Sequence, residues 1–196
     1  MFGHFFLLFL LSNSIGHQPP RGHILDFDIY VKEDIVGNLR ATKDTVAGKT
    51  RYTSATSVTI KFIKELKIDY DYQVTYENGW LSRSEVDVLV NERPHKQALI
   101  FWTGSGYEVI QNSKHKTSLE DRIANSTILL FFEEPTDIEH LFSEMDGSMN
   151  TIVPIGDHRY KKVNAKGREN IYQYADGKLV EADISGQIDF KIIAKE

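Results

Sequence analysis

From Leu66 to Tyr76 the chain alternates strictly between apolar and polar positions. Leu66, Ile68, Tyr70, Tyr72, Val74 and Tyr76 share one parity, and Lys67, Asp69, Asp71, Gln73 and Thr75 share the other. Period-2 alternation of this kind predicts a β-strand with one buried and one wet face. Asn78-Gly79 supplies a turn, after which Trp80, Val86, Val88 and Val90 resume the apolar parity. A two-residue turn would set Tyr70 against Asp87 and put the two apolar sets on opposite faces. A three-residue loop, Glu77 to Gly79 with Gly79 in a bulge, sets Tyr76 against Trp80, Tyr70 against Val86 and Ile68 against Val88. The second register is the one expected, because it buries both apolar sets together.

The same pattern fills the rest of the chain. Leu25, Phe27, Ile29 and Val31 form a first strand; Glu33-Asp34 turns it into a second, Ile35 to Lys43, and Ala47-Gly48 turns again. Tyr52, Val58, Ile60 and Phe62 carry the even parity into Leu66. Run straight to Tyr76, that strand would be ~80 Å long, against about 40 Å for a domain of this size. A kink or a tight hairpin near Ile63-Lys64-Glu65 is therefore required. Pro94 breaks the next run, Ala98 to Trp102 reads as a more enclosed strand, and Gly104-Ser105-Gly106 and Asn112-Ser113 turn the chain. Ser118 with Asp121 suggests a helical turn. Ile128 to Phe132 is apolar throughout and fits a buried strand or a buried helical turn.

After Pro135, Thr136 and Glu139 match a capping box, and Ile138, Leu141 and Phe142 share a helical face. A short α-helix over Thr136 to Glu144 is expected. Strands follow at Thr151 to Ile155, Arg159 to Val163, Glu169 to Tyr174, Leu179 to Ile184 and Gln187 to Ile193. The stretch Tyr172 to Leu179 echoes Val74 to Leu81, with Ile184 in the place of Val86. Duplication and recurrent turn chemistry both account for that echo. The expected fold is mainly β: a strongly curved antiparallel sheet or incomplete barrel with one short α-helix.

Composition narrows the class. The chain has 196 residues, a formal net charge of −5 and no cysteine. That length suits one domain with an adequate core. The mild acidity offers no footprint for nucleic acid. Without cysteine there is no disulfide, thiolate metal site or cysteine nucleophile. The run Phe5 to Leu11 is too short to span a membrane, and Ser14 and Gly16 fit a cleavage before His17. Residues 1–16 therefore read as a signal peptide, 17–23 as a Pro/Gly-rich leader and 24–196 as the single β domain. The expected location is exported, periplasmic or extracellular, with no transmembrane segment after cleavage.

Catalytic motifs are missing. The seven histidines include no pair at the i, i+4 spacing of a helical zinc site, and no nucleophile elbow, phosphate loop or dinucleotide fingerprint occurs. Asp69 with Asp71 reads as a wet strand face. Glu133 and Glu134 follow a buried run and are the sharper pair of candidate acids. No catalytic residue, metal ligand or cofactor is assigned. The aromatic residues Tyr70, Tyr72, Tyr76, Trp80, Trp102, Tyr172 and Tyr174 are either core packing or the lining of a ligand cavity in a curved sheet.

Phe27-Asp28-Ile29-Tyr30, Val36-Gly37-Asn38-Leu39, Tyr70 to Leu81, Phe132-Glu133-Glu134-Pro135, Phe142-Ser143-Glu144 and Tyr172 to Glu181 occur in an order that resembles an uncharacterised family. Its members are small secreted proteins of Bacteroidota-type Gram-negative bacteria, a domain of unknown function. The layout is distantly similar to periplasmic lipoprotein-carrier half-barrels, where a curved sheet holds acyl chains. The family has no established activity; the long curved sheet with aromatic-lined faces, together with export, points to a non-enzymatic envelope protein with a lipid or other apolar ligand on its concave face. A module that binds an envelope protein partner through a filled fold is the alternative, and an uncharacterised hydrolase is third.

Overall fold

Fourteen strands, each joined to the next as a hairpin except the eighth to the ninth, make up the computed structural model, which describes residues 22–61 and 64–195. They are β1 (His23–Val31), β2 (Asp34–Val46), β3 (Lys49–Lys61), β4 (Glu65–Glu77), β5 (Trp80–Val90), β6 (Arg93–Trp102), β7 (Tyr107–Gln111) and β8 (Lys114–Leu119), then β9 (His140–Ser143), β10 (Ser148–Pro154), β11 (Arg159–Val163), β12 (Glu169–Ala175), β13 (Lys178–Ile184) and β14 (Phe190–Ala194). All lie in one antiparallel sheet, in the order β8-β7-β6-β5-β4-β3-β2-β1-β14-β13-β12-β11-β10-β9. Two meanders thus meet where β1 pairs with β14, and the sheet stays open between β8 and β9. The expected signal peptide and most of the leader lie outside the described residues. His23, assigned to the leader, already belongs to β1.

The bend required near Lys64 is a hairpin, with Lys61 paired to Glu65. The Asn78-Gly79 hairpin corrects the register expected for it. Glu77 pairs with Trp80, so the loop has two residues, and both have left-handed backbones (φ 52° and 82°). Parity is restored by a bulge on β5: Tyr76 pairs with Leu81 but Thr75 with Arg83, leaving Ser82 extra. Tyr72 then faces Val86 and Tyr70 faces Val88. A bulge adds one residue to one strand, which here flips the apolar set back to the inner face. Trp80, before the bulge, is exposed.

Four other hairpins use the same device. The extra residue is Val36 after β1, His95 after β5, Lys116 after β7 and Val180 after β12. Pro94 stands beside one of these bulges, inside β6 rather than ending it. Because hairpins without sequence similarity share this geometry, turn chemistry accounts for the echo between Tyr76 and Tyr174. Repeated bulges also increase the local right-handed twist, which curls the sheet.

The expected α-helix at Thr136 to Glu144 does not form. Thr136 and Asp137 make a turn, and His140–Ser143 is strand β9, paired to β10 through Leu141↔Asn150 and Phe142↔Met149. Leu141, Phe142, Ser143 and Glu144 are all buried, which one helical face could not achieve. An isolated nine-residue helix is marginal, and here the strand ladder replaces it. Ser118 to Asp121 forms no helical turn either. The helical element among the described residues is a 3-10 turn at Thr127–Phe131. It sits in the connection from β8 to β9, which crosses the concave face.

That connection is tied to both halves of the sheet. The Tyr76 hydroxyl donates to Ser126 Oγ (2.8 Å), and the Tyr174 hydroxyl donates to the Leu130 carbonyl (2.8 Å). Leu81 N–H donates to the Ile123 carbonyl, and Phe142 N–H to that of Asn125. Phe132 packs on Tyr52 at 5.2 Å between ring centroids, and Phe131 on Phe27 at 5.8 Å. No helix among the described residues is long and apolar enough to cross a membrane.

Candidate functional site

The connection leaves part of the interior open. It packs toward the end of the sheet where Ala47-Gly48, Asn78-Gly79 and Asp176-Gly177 turn. Toward the other end a cavity of about 650 Å³ remains, within the ~300–1,000 Å³ usual for ligand sites. Its walls come from β1 to β6 and β11 to β14, with Thr127, Ile128 and Phe131 of the 3-10 turn beneath. Leu66, Ile68, Val88, Val90, Ile184 and Ile188 make it largely apolar.

Side-chain size explains why the space is open. Along β3, Ser54 and Thr56 occupy inner positions between Tyr52 and Val58, and they pair with Tyr72 and Tyr70. Small residues opposite the two tyrosines leave room that a second large pair would fill. The floor is anchored by Glu144, wholly buried beneath the 3-10 turn. Its carboxylate accepts from Ile128 N–H (2.9 Å), Thr127 N–H (3.2 Å) and the Thr127 hydroxyl. A carboxylate at a helical N-terminus satisfies N–H groups that the turn leaves unpaired.

Of the seven aromatic candidates, Tyr70, Tyr72 and Tyr172 line this cavity. Tyr72 keeps some exposed surface, and that surface faces the cavity; burial, and next the Glu144 charge, push its phenol well above the usual range. Burial alone raises Tyr70. Tyr76 and Tyr174 are buried and hold the connection in place. Trp80 is exposed at the hairpin tip. Trp102 packs between Tyr107 (4.9 Å between centroids) and the Arg122 guanidinium (3.8 Å from its ring). Sequence parity could not separate these groups, because all seven share the apolar parity in sequence but differ in position along the strands and, for Trp80 before the bulge, in face. It left Ile128 to Phe132 open between a buried strand and a buried helical turn, of which the structure has the turn, and it missed Glu144.

A second depression, about 670 Å³, lies on the outer face across β1 to β5. Asp69 there accepts from Ser57 Oγ (2.7 Å) and Asp71 from Gln73 Nε2 (3.3 Å). Asp26 is gripped by two bonds from Arg40 (2.7 and 3.1 Å). No group of three or more metal-ligating side chains occurs among the described residues. Glu133 and Glu134 line neither depression. Glu133 pairs with Lys43 (2.9 Å). Glu134 accepts from the Tyr160 hydroxyl (2.8 Å) and contacts His158 Nδ1 (2.9 Å). Burial acts to raise the Glu134 pKa, but these two partners outweigh it and hold the carboxyl below the usual range.

An open, curled antiparallel sheet with a partly filled interior defines a barrel-like β protein. The chain belongs to the family described as a domain of unknown function (DUF6134), whose profile matches residues 27–195. Comparison with curated proteins gave no match. Among solved structures it is similar to a beta-barrel-like protein of domain of unknown function DUF1849 from Brucella abortus. The identity is 10%, the TM-score 0.55, and the match covers 90% of this chain and 96% of that one. At that identity the likeness shows the fold.

Proposed function

We propose that this domain binds an apolar, lipid-like ligand in the part of its interior that the β8–β9 connection leaves open. The observation that carries this reading is the cavity of about 650 Å³ walled by aliphatic side chains and by Tyr70, Tyr72 and Tyr172. Apolar walls with a few polar groups are the usual make-up of small-molecule sites, whereas interiors otherwise pack to crystal-like density. The distant layout similarity to lipoprotein-carrier half-barrels supports the reading by analogy of fold. We place the protein in the envelope of a Gram-negative bacterium, exported by the segment that ends at Gly16. That placement rests on the apolar run Phe5 to Leu11 and the absence of cysteine.

Gentle purification followed by native mass spectrometry tests the ligand. The expected result is a co-purifying apolar molecule, or uptake of an added one after delipidation. A protein that neither retains nor takes up any such molecule overturns the reading. A second reading, docking of a protein partner, is favoured by Met149, Val153 and Ile155, which stay exposed along and just beyond β10. Cross-linking through that strand, unaffected by changes at Tyr70 or Tyr72, would support it.

A further inference from the structure

We infer that the cavity takes a single-chain amphiphile with an anionic headgroup, its tail against the tyrosines and its headgroup at the mouth beside Lys162 and Arg168. This rests on the reading that the cavity binds an apolar ligand, and adds the charge and orientation of that ligand.

The charge distribution carries the inference. The chain as a whole is acidic, at −5. Yet the charged side chains on the cavity lining are Lys96, Lys162 and Arg168, joined by His95, with no aspartate or glutamate among them. The three cations come from separate elements: Lys96 from β6, Lys162 from β11 and Arg168 from the loop before β12. They converge at the end of the sheet away from the filled part. Lys96 is shared with Asp146 at 3.4 Å. Among the described residues, Lys162 and Arg168 have no carboxylate within ion-pair distance; the Lys162 ammonium lies 5.8 Å from the Tyr172 ring centre. Elsewhere some basic residues are matched, as Arg40 is to Asp26 and, just beyond β14, Lys195 to Asp28. Unmatched cations beside an apolar opening are complementary to an anion that arrives with its own apolar tail.

Orientation follows from the floor. Glu144 lies under Thr127 and Ile128, with its oxygens already taken by their donors. Its charge repels an anion placed deep in the cavity. The aliphatic and tyrosine walls accept a hydrocarbon chain there instead. A headgroup at the mouth keeps its hydration and meets the guanidinium and ammonium groups, whose bonds to carboxylate or phosphate are charge-assisted.

The test is a titration of the delipidated domain with palmitate, palmityl alcohol and palmitylamine, read by displacement of an uncharged fluorescent probe. Palmitate should bind tightest and palmitylamine weakest. The Lys162→Gln/Arg168→Gln double variant should lose roughly five- to tenfold in palmitate affinity and keep its affinity for the alcohol. Lys166→Gln, in the same loop but off the lining, should behave as the native chain. An added arm with lysophosphatidate separates phosphate from carboxylate heads: tighter binding than palmitate marks a phospholipid source, weaker binding a fatty acid. Equal affinity for acid, alcohol and amine, or an equal loss for acid and alcohol in the double variant, overturns the inference while leaving an apolar site. Failure of every probe to bind overturns the site itself.

Discussion

The Tyr76 hydroxyl donates to Ser126 Oγ at 2.8 Å, fifty positions along the chain. Tyr174, on the opposite meander, makes the corresponding bond to Leu130. The 3-10 segment is thereby pinned from both sides of the curled sheet. Tyr76→Phe and Tyr174→Phe should each lower stability by about 1 kcal/mol in urea unfolding, the net worth of one buried hydrogen bond. No loss in either variant would show that the segment is held by packing alone.

Glu144 supports the same segment from below. Glu144→Ala leaves the Thr127 and Ile128 N–H groups without their acceptor and should cost about 2–4 kcal/mol. Glu144→Gln keeps an acceptor oxygen and should cost less. Denaturant midpoints of the two variants check the order.

Filling the cavity separates binding from folding. Ile68 is half-buried on the wall, so Ile68→Trp has open space to enter. Binding of an apolar probe should fall at least tenfold, with stability changed by no more than about 1–2 kcal/mol. Undiminished binding would move the site elsewhere.

Gly37 and Gly177 are constrained differently. A Cβ on Gly37 would lie 2.1 Å from the Ser57 carbonyl oxygen and 2.9 Å from Val58 Cα, both backbone atoms that have little freedom to yield. Gly177 has open space around it but a left-handed backbone (φ 73°). Gly177→Ala should cost about 1 kcal/mol from conformation alone, and Gly37→Ala distinctly more, by shifting β2 against β3. Thermal melts of the pair would read the difference.

Alkaline titration should find the buried phenols silent. Burial, then the Glu144 charge, raises Tyr72 and Tyr76, and burial, then the neighbouring Tyr172, raises Tyr174. Tyr160 is pushed up to about 12, by burial and then by its bond to Glu134. Raised folded-state values mean that the neutral phenols stabilise the fold below about pH 10, the ordinary tyrosine value. That contribution is lost as pH climbs from there through the folded values. Glu134 has the opposite sign: its lowered value stabilises the fold above the ordinary glutamate range and is lost as pH falls through the folded value. Ultraviolet tyrosinate absorbance should therefore rise for these residues only together with unfolding.

Strand positions were readable because a half-buried sheet imposes period 2 locally, and Asn78-Gly79 and Asp176-Gly177 carry their own turn chemistry. Parity rightly required Tyr70 to face a valine, though that partner is Val88 rather than the expected Val86. It misassigned the loop length because a two-residue turn with a later bulge satisfies the same requirement as a longer loop, and bulge position depends on sheet twist. The capping pattern at Thr136 was overridden because Leu141 to Glu144 needed burial on every side, which depends on β10 and on Asn125, distant in sequence or bound only after folding.

By itself, then, the chain's alternation determined a mainly β architecture, its turns and the inward face of most strands. Only the tertiary structure decided which part of that inward face is core and which is cavity. Inward tyrosines look alike in sequence, but Tyr76 and Tyr174 meet the β8–β9 connection, while Tyr70, Tyr72 and Tyr172 face the space it leaves beside Ser54 and Thr56. Filling is a property of what crosses the sheet, and no local pattern records how far the crossing segment reaches.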